Sequence, residues 1–538
     1  MPTLNWIGKE AVVNHHREVP FHLLKDVPDL SCGDPGSGNL IVQGDNLLAL
    51  KALLPHYAGQ VKCIYIDPPY NTGNEGWIYN DNVNSPEIKK WLGKVVGKEA
   101  EDLSRHDKWL CMMYPRLVLL KKFLREDGAI FVSLDDNEAG NFRLLMDEIF
   151  GENNFINTIV WEKRYSPQNA VKWFSESHDF IIVYAKKKLN WFPNLLERSD
   201  EMNARYRNLD NDPRGVWKPA DATAQGGHGT KSQFYVLTAP NGKQHILPNG
   251  RCWVYTEPVF KKMIEDNRVW FGSNGNNVPA IKRFLSEVKQ GTACQTIWKY
   301  SDVGHNQEGK KEVNDLFPQE AIFETPKPVR LLKRILHLTT GSDSLILDCF
   351  AGSGTTGHAV LNMNIQDGGS RKFILVEMDS KIAPTVTAQR VRRVMQGYTN
   401  VQGEQIEGLG GGFRYCTLGE PLFDEFGKIR ESAVRFADLA RHVYFIETGE
   451  TLPRERIFND PFLGECRNVG IYLLYNGILG DKTVNGGNIL TLPIYQKLKA
   501  FEGMKVIYGN GCRISKERLK KMGVIFKQLP SELKVDRL

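Results

Sequence analysis

The first sustained apolar run of the chain, Asn39-Leu40-Ile41-Val42-Gln43, predicts a strand that ends in the turn Gly44-Asp45-Asn46. Residues 47–54 then carry apolar side chains at helical spacing. Val61-Lys62-Cys63-Ile64-Tyr65-Ile66 reads as a buried parallel strand. Together they form a β-α-β unit whose second strand runs into Asp67. A second unit follows, with an amphipathic helix over 109–124, a turn at Asp127-Gly128 and a strand over 129–134. Asp135-Asp136-Asn137-Glu138 sits at the carboxyl end of that strand. Those acids either cap the next helix or line the same cleft as Asp67. Residues 180–185 predict another strand.

From about 186 to 318 the helical periodicity fades, and Trp, Tyr, Arg, Lys, Gly and Asn interleave. An irregular, β-rich segment is expected there. It is either a small independent β-domain with ordinary surface charge or an insert that reads a substrate, and its position inside an α/β pattern favours the insert. Regular texture resumes with a helix over 329–338, a strand over 344–348, a glycine turn, a helix over 357–363, a strand over 373–377 and a basic helix over 384–396. Gly408-Leu409-Gly410-Gly411-Gly412 reads as a linker, because no strand feeds it and no helix N-terminus follows. A strand over 413–418 comes next. The tail beyond 420 predicts strands over 471–475, 505–508 and 524–527 and a helix over 517–522. The fold class is therefore α/β: a doubly wound, Rossmann-like sheet with an inserted β-rich domain and a small C-terminal α/β appendage. The expected divisions are 1–35, 36–189, 190–318, 319–420 and 421–538.

Composition narrows the class. With 538 residues, 41% hydrophobic and 25% charged, the chain suits several globular domains. A net charge of +6 permits a polyanionic partner without requiring one. The nine cysteines contain no C-x-x-C pair, which argues against a disulfide framework or zinc ribbon and fits a reducing, cytoplasmic setting. His15, His16 and His22 lack ligand spacing, so solvated or capping histidines are favoured over a metal site. No apolar stretch reaches membrane-spanning length, and no signal peptide is visible at the start.

Two motifs carry chemistry. Asp67-Pro68-Pro69-Tyr70 closes a parallel strand at the end where open α/β sheets bind ligands. The prolines stiffen the turn and lack N–H groups. Asp67 is an acceptor for an amine, with the Pro68 carbonyl as a second, and Tyr70 is a face for a flat ring. That suits a planar base with an exocyclic NH2 drawn out of its stack, although a proline-rich turn with a capping Asp has the same letters. The second motif, Asp348 to Thr356, is a strand, a glycine turn and a helix start. Its glycines admit close backbone approach, and the helix N-terminus favours an anionic group. Glu377 ends the neighbouring strand, placed for a ribose diol. Gly352, Gly354 and Gly357 also satisfy the G-x-G-x-x-G letters of a dinucleotide site, so that reading stays open on letters alone. A methyl donor bearing a carboxylate, a ribose and an adenine accounts for both motifs together. No Pro-Cys dipeptide is present, which argues against methylation at a ring carbon through a cysteine nucleophile.

These motifs, with Gly44-Asp45-Asn46-Leu47-Leu48-Ala49-Leu50, the extension Asn71-Thr72-Gly73, Leu134-Asp135-Asp136-Asn137-Glu138 and Phe323-Glu324-Thr325-Pro326-Lys327-Pro328, resemble the β-class amino-group DNA methyltransferases. They are most similar to the Mod subunit of type III restriction–modification systems, over most of residues 35–420. The resemblance implies adenine N6 as the target, since cytosine enzymes usually have Ser in place of Asp67. N4-cytosine transfer and a catalytically silent specificity subunit are the alternatives. It implies S-adenosylmethionine as cofactor, with Asp67, Lys327, Asp348, Phe350, Gly352, Gly354, Thr355 and Glu377 around it. Asp67, Pro68 and Tyr70 would hold the base. Double-stranded DNA is the implied substrate, with the insert as target recognition domain and Tyr70, Arg214, Lys218, Lys282 and Arg283 as candidate DNA contacts. A homodimer and a Res-type helicase–nuclease subunit are implied partners in a bacterial or phage-encoded system. The chain has no G-K-[ST] phosphate loop, so ATP-driven cleavage would need that second subunit.

Overall fold

The computed structural model describes residues 3–72, 104–318, 323–452, 458–480 and 487–531. Gly73 of the tyrosine-motif extension and the chain start at Met1-Pro2 lie outside the described residues. The described chain divides into two compact units. One comprises residues 3–193 and 295–531, and the other is Asn194–Cys294.

The larger unit is built on an 11-stranded mixed sheet. In chain order its strands are β1 (His22–Asp26), β2 (Cys32–Gly33), β3 (Leu40–Gln43), β4 (Val61–Ile66), β5 (Leu124–Leu134), β6 (Phe155–Glu162), β7 (His178–Ala185), β8 (Ile297–Trp298), β9 (Leu345–Asp348), β10 (Lys372–Glu377) and β11 (Gly412–Pro421). Their spatial order is β1-β11-β3-β10-β9-β4-β5-β7-β6-β8, with β2 paired to β11. The six strands from β11 to β5 run parallel, and β7 lies antiparallel to β5 and β6. Parallel strands covered on both faces read as continuous apolar runs. β4 and β9 show this in Cys63, Ile64, Ile66, Ile346 and Leu347, each 0% exposed. The chain leaves β9 toward β10 and leaves β4 toward β5, so the crevice of a topological switch point opens at the carboxyl ends of β4 and β9.

Several boundaries differ from the sequence reading. Asp127-Gly128 is not a turn but lies inside the continuous β5, where the pairing with β4 shifts register between Val61 and Cys63. The helix after the glycine turn runs over Thr355–Asp367, longer than its apolar period indicates. A π-helical segment, Ala383–Thr387, precedes the helix Ala388–Gln396.

Residues 295–318 do not belong to the insert. Ile297 and Trp298 pair in parallel with Val160 and Trp161, extending the main sheet. The C-terminal segment has its own four-stranded sheet, Phe462–Cys466, Val469–Leu473, Met504–Gly509 and Val524–Gln528. It is not a detached appendage, however. Leu439, Ala440 and Val443 of the helix Phe436–Thr448 enter the same buried core as Leu50, Leu53 and Leu54 of the helix Asn46–Tyr57. No helix among the described residues is long and apolar enough to cross a membrane.

The second unit has a three-stranded antiparallel sheet, Val269–Trp270, Ala280–Phe284 and Trp217–Asp221, two short strand pairs and the helix Glu257–Glu265. Trp253, Phe260, Phe271 and Ile281 are in its core. Its basic residues sort by burial. The Lys282 side chain is 0% exposed and is ion-paired with Asp210 and with Asp212, the latter at 3.1 Å. Arg214 hydrogen-bonds Asp212 (2.8 Å) and Asp266 (3.1 Å). Lys282 is thus a buried structural cation, which overturns its expected role as a phosphate contact. Arg214 is likewise committed to carboxylates. Arg283 is exposed, and its cross-strand partner Lys218 lies 5.2 Å from the Tyr206 ring.

Removing one member of a buried ion network leaves uncompensated charge. Lys282→Met is expected to destabilise this unit by about 3 kcal/mol, read by local hydrogen exchange. Hydrogen bonds from Arg214, then Lys282, hold Asp212 well below the usual carboxylate range. That contribution is complete above about pH 4 and is lost as pH falls further.

Candidate active site

A cavity of about 340 Å³ opens at the switch point, lined by Asp67, Pro68, Tyr70, Lys327, Asp348 and Phe350, among others. The stiff turn after β4 is pinned from outside, because the indole N–H of Trp109 donates to the Pro69 carbonyl (2.7 Å). Beyond it, Asn71 adopts a left-handed φ of 59°. Its amide donates to the fully buried Glu138 carboxylate, which also pairs with His106 (2.8 Å) and accepts from Asn141 (3.0 Å). Of the acids after β5, Glu138 therefore anchors the tetrapeptide loop and makes no side-chain helix cap, while Asp135 lines the cavity.

Asp67 is asymmetric. Its Oδ2 accepts from Lys327 Nζ at 2.5 Å. Its Oδ1 is buried and has no hydrogen-bond partner among the described residues. A buried acceptor without a donor is costly, so Oδ1 is an open position for a ligand N–H. Lys327 is buried too, 5.0 Å from the Tyr70 ring centroid and 6.0 Å from that of Trp161. The sequence points to Lys327 as a cofactor neighbour, and in the structure it lines the cavity as the counter-ion of Asp67. The Tyr70 hydroxyl donates to Asp179 (3.4 Å), whose other oxygen accepts from Lys163 at 2.5 Å. Burial pushes the Asp179 carboxyl up to about 6 against the pull of Lys163 and Lys327, and the charge of Asp67 adds to the rise. Sequence reasoning misses Asp179 and Lys163 as site residues. The only signal is the polar Ser177-His178-Asp179 before an apolar strand.

The glycine turn is the opposite wall. Asp348 Oδ1 accepts from the Phe350 N–H (3.0 Å), and Oδ2 accepts from Thr356 Oγ1 (2.5 Å). Burial pushes the Asp348 carboxyl up to about 7 despite those donors, with Asp67 and Glu377 adding like charge. Gly352 and Thr355 line the cavity, whereas Gly354 is not among its walls. At Gly354 φ is +79°, and a Cβ would lie 3.2 Å from the Thr387 carbonyl, so glycine is needed there for conformation and close approach. Glu377 stands behind the turn. Its Oε2 accepts from the Gly352 N–H (2.8 Å) and its Oε1 from the Asp379 N–H (2.9 Å).

Arg390 has no counterpart in the sequence reading. It is fully buried and donates to Ser353 Oγ (2.9 Å) and Thr355 Oγ1 (2.8 Å). Only its place on a basic helix hints at a role. From the other side, Asn46 donates to the Cys349 carbonyl (3.1 Å) and is itself held by Arg116. Asp67, Pro68, Tyr70, Lys327, Asp348, Phe350, Gly352 and Thr355 therefore meet in one cavity, with Gly354 and Glu377 supporting its glycine wall. Arg214, Lys218, Lys282 and Arg283 belong to the other compact unit.

Comparison with known proteins agrees with this constellation. A family model described as DNA methylase, of the N6/N4 type, matches residues 61–388. The Mod subunit of the type III restriction–modification enzyme StyLTI of Salmonella typhimurium is 36% identical over 405 residues, covering 72% of this chain and 60% of its own. The EcoPI Mod subunit of Escherichia phage P1 is 30% identical, covering 91% of this chain and 78% of its own. The type II methyltransferase M.KpnI of Klebsiella pneumoniae is 31% identical, covering 75% and 98%.

A carboxyl held near pH 7 makes binding of a cation proton-linked. With its carboxyl pushed up to about 7, Asp348 gains charge as pH rises through neutrality, and a cationic ligand favours the ionised form. The affinity for a cationic ligand is therefore expected to rise between pH 6 and 8 with release of a proton. Calorimetry in two buffers of different ionisation enthalpy measures that release, and Asp348→Asn should cut it to the smaller share that Asp179, pushed up to about 6, contributes.

Proposed function

The chain belongs to the N6/N4 DNA methylase family, and on that premise we propose that it transfers a methyl group from S-adenosylmethionine to the exocyclic N6 amine of an adenine flipped out of duplex DNA. The observation that carries the reading is the buried, open Asp67 Oδ1 beside the Tyr70 ring, in the cavity that the glycine turn closes.

The residues present suit the cofactor. Asp67 and Asp348 supply negative charge for a sulfonium. The turn opens the helix Thr355–Asp367, whose N-terminus favours a carboxylate. Glu377, whose two oxygens accept from the Gly352 and Asp379 N–H groups, keeps lone pairs with which it is proposed to accept from the ribose diol once the turn admits the cofactor. When bound, S-adenosylmethionine supplies an electrophilic methyl group.

An exocyclic amine is a weak nucleophile because its lone pair is delocalised into the ring. Asp67 Oδ1, with the Pro68 carbonyl, accepts the amine hydrogens and directs the lone pair away from the ring plane. The same oxygen stabilises positive charge developing on nitrogen. Lys327 holds the Asp67 carboxylate in place through Oδ2, so orientation does not have to be gained during the reaction. Tyr70 stacks on the extruded base, offsetting part of the few kcal/mol that unstacking costs. No covalent enzyme intermediate is needed.

The relatives named as Mod subunits support the further reading that this chain is the modification subunit of a type III system. It would act as a homodimer with a separate Res-type helicase–nuclease. The insert is the proposed target recognition domain, with Lys218 and Arg283 as phosphate contacts. Asp67 at the head of the tetrapeptide, where cytosine enzymes usually have Ser, supports adenine over cytosine, while the family description covers both N6 and N4 transfer.

Asp67→Ala is expected to abolish methyl transfer while DNA binding persists, and retained transfer would refute the mechanism. Mass spectrometry of nucleosides from treated DNA should reveal N6-methyladenine. N4-methylcytosine would move the assignment to cytosine. Single-molecule sequencing of DNA from a host with and without the gene identifies the modified site. Neutralising Lys218 and Arg283 is expected to weaken binding across sequences. It should also lower the slope of log affinity against log salt by about 1 for each phosphate no longer neutralised.

A further inference from the structure

The segment that joins β6 to β7, residues 163–177, leaves and re-enters the sheet at the cleft. Lys163, Arg164, Glu176 and Asp179 at its two roots line the cavity. The Arg164 N–H closes the base of the loop on the Ser177 carbonyl (3.2 Å), and the Gln168 N–H binds Ser175 Oγ (2.7 Å) across it. Beside the root, Tyr165 stacks on His305 at 5.3 Å between ring centroids, and His305 stacks on Tyr300 at 5.7 Å.

The tip is unlike the root. Trp173 is 81% exposed and Phe174 91% exposed. Lys172 Nζ lies 5.0 Å from the Trp173 ring. Two large adjacent rings in water, on a loop tied at both ends to the rim of a base-binding cavity, mark a surface that is covered during function. Extruding a base opens a gap in the stack and leaves its partner base unstacked. An aromatic or apolar side chain entering at that step replaces the missing stacking.

On the reading that the cavity takes a flipped adenine, we infer that residues 172–174 form a wedge. Trp173 and Phe174 enter the duplex at the vacated position, and Lys172 meets the flanking phosphate. The occupant is the target DNA itself. The cavity wall and the loop root share residues, so a base held by Asp67 and Tyr70 brings its own duplex to the loop. The wedge residues touch no cofactor. They position the base by stabilising the extruded state.

The test uses the intact protein and a duplex bearing the site found by sequencing, with 2-aminopurine or adenine at the target. In Trp173→Ala/Phe174→Ala, the fluorescence rise of 2-aminopurine on binding should disappear. Turnover on matched duplex should fall by at least about tenfold, the order expected when aromatic stacking on a base is lost. Cofactor affinity should not change. When an abasic site faces the target adenine, pairing no longer has to be broken, and the variant should recover to within about twofold of the unaltered protein. Phe174→Leu, which keeps an apolar wedge, should retain most of the fluorescence rise. Equal loss on both duplexes, or no loss on either, overturns the inference. So does a change in oligomeric mass by light scattering, which would assign the two rings to an interface between copies of this chain. Transfer to adenine by the unaltered protein reads the proposed function independently, and the matched-to-abasic ratio reads the wedge.

Discussion

The parallel pairing of β4 with β9 is the constraint from which the rest of the site follows. Each strand ends in a carboxylate, Asp67 directly after β4 and Asp348 as the last residue of β9. Placing two such strands side by side concentrates negative charge at one buried mouth, and Asp179 at the start of β7 adds to it. The protein answers with Lys327 on Asp67 and Lys163 on Asp179. Among the described residues, Asp348 receives only neutral hydrogen-bond donors, Thr356 and the Phe350 N–H. It is also the carboxyl that burial and like charge push furthest toward neutrality. Asp348 thus has no ion-pair partner among the described residues, and a ligand bearing a cation would supply one.

Such a mouth needs rigid walls, since catalysis by orientation depends on groups that do not rearrange. Here each wall is tied to an element distant in sequence. Trp109 and the buried Glu138 hold the tetrapeptide loop and its Asn71 extension. Asn46 with Arg116, Glu377 and Arg390 hold the glycine turn from three directions. Arg390 is the most vulnerable of these ties in an energetic sense. Burial pushes its guanidinium down to about 10, and its nearest carboxylate, Glu312 at 3.7 Å, is itself pushed up by burial to about 7. Rigidity of the turn therefore rests more on hydroxyl acceptors than on a strong ion pair.

The sheet is legible in the sequence because parallel strands announce themselves as uninterrupted apolar runs. The edges of β4 follow from that pattern to the residue, and those of β7, β9 and β10 to within two. The tetrapeptide and glycine turn are legible because their chemistry is local. What stays hidden is tertiary. Lys327 looks like a cofactor neighbour, and nothing in its own segment says that its ammonium meets Asp67. Lys282 and Arg214 look like surface cations because Asp210 and Asp212, which bind them, lie in an irregular stretch with no period to orient side chains. The C-terminal segment looks separate because sequence texture reports secondary structure and not which core a helix face enters. Trp173 and Phe174 fall in a loop, where an apolar letter carries no information about exposure.

The second unit begins and ends at one point. Leu196 and Thr292 exchange backbone hydrogen bonds in both directions, at 2.9 and 2.8 Å, so about a hundred residues enter and leave through a single clasp. A module whose ends lie this close together is of the kind whose insertion a host tolerates. The core of the second unit, with Trp253 and Phe260, is its own. The chemistry and the surface carried by that module can therefore diverge at different speeds. On the reading that this module is the target recognition domain, recombination across the clasp would hand a new specificity to an unchanged host unit in one event, where point mutation would need many.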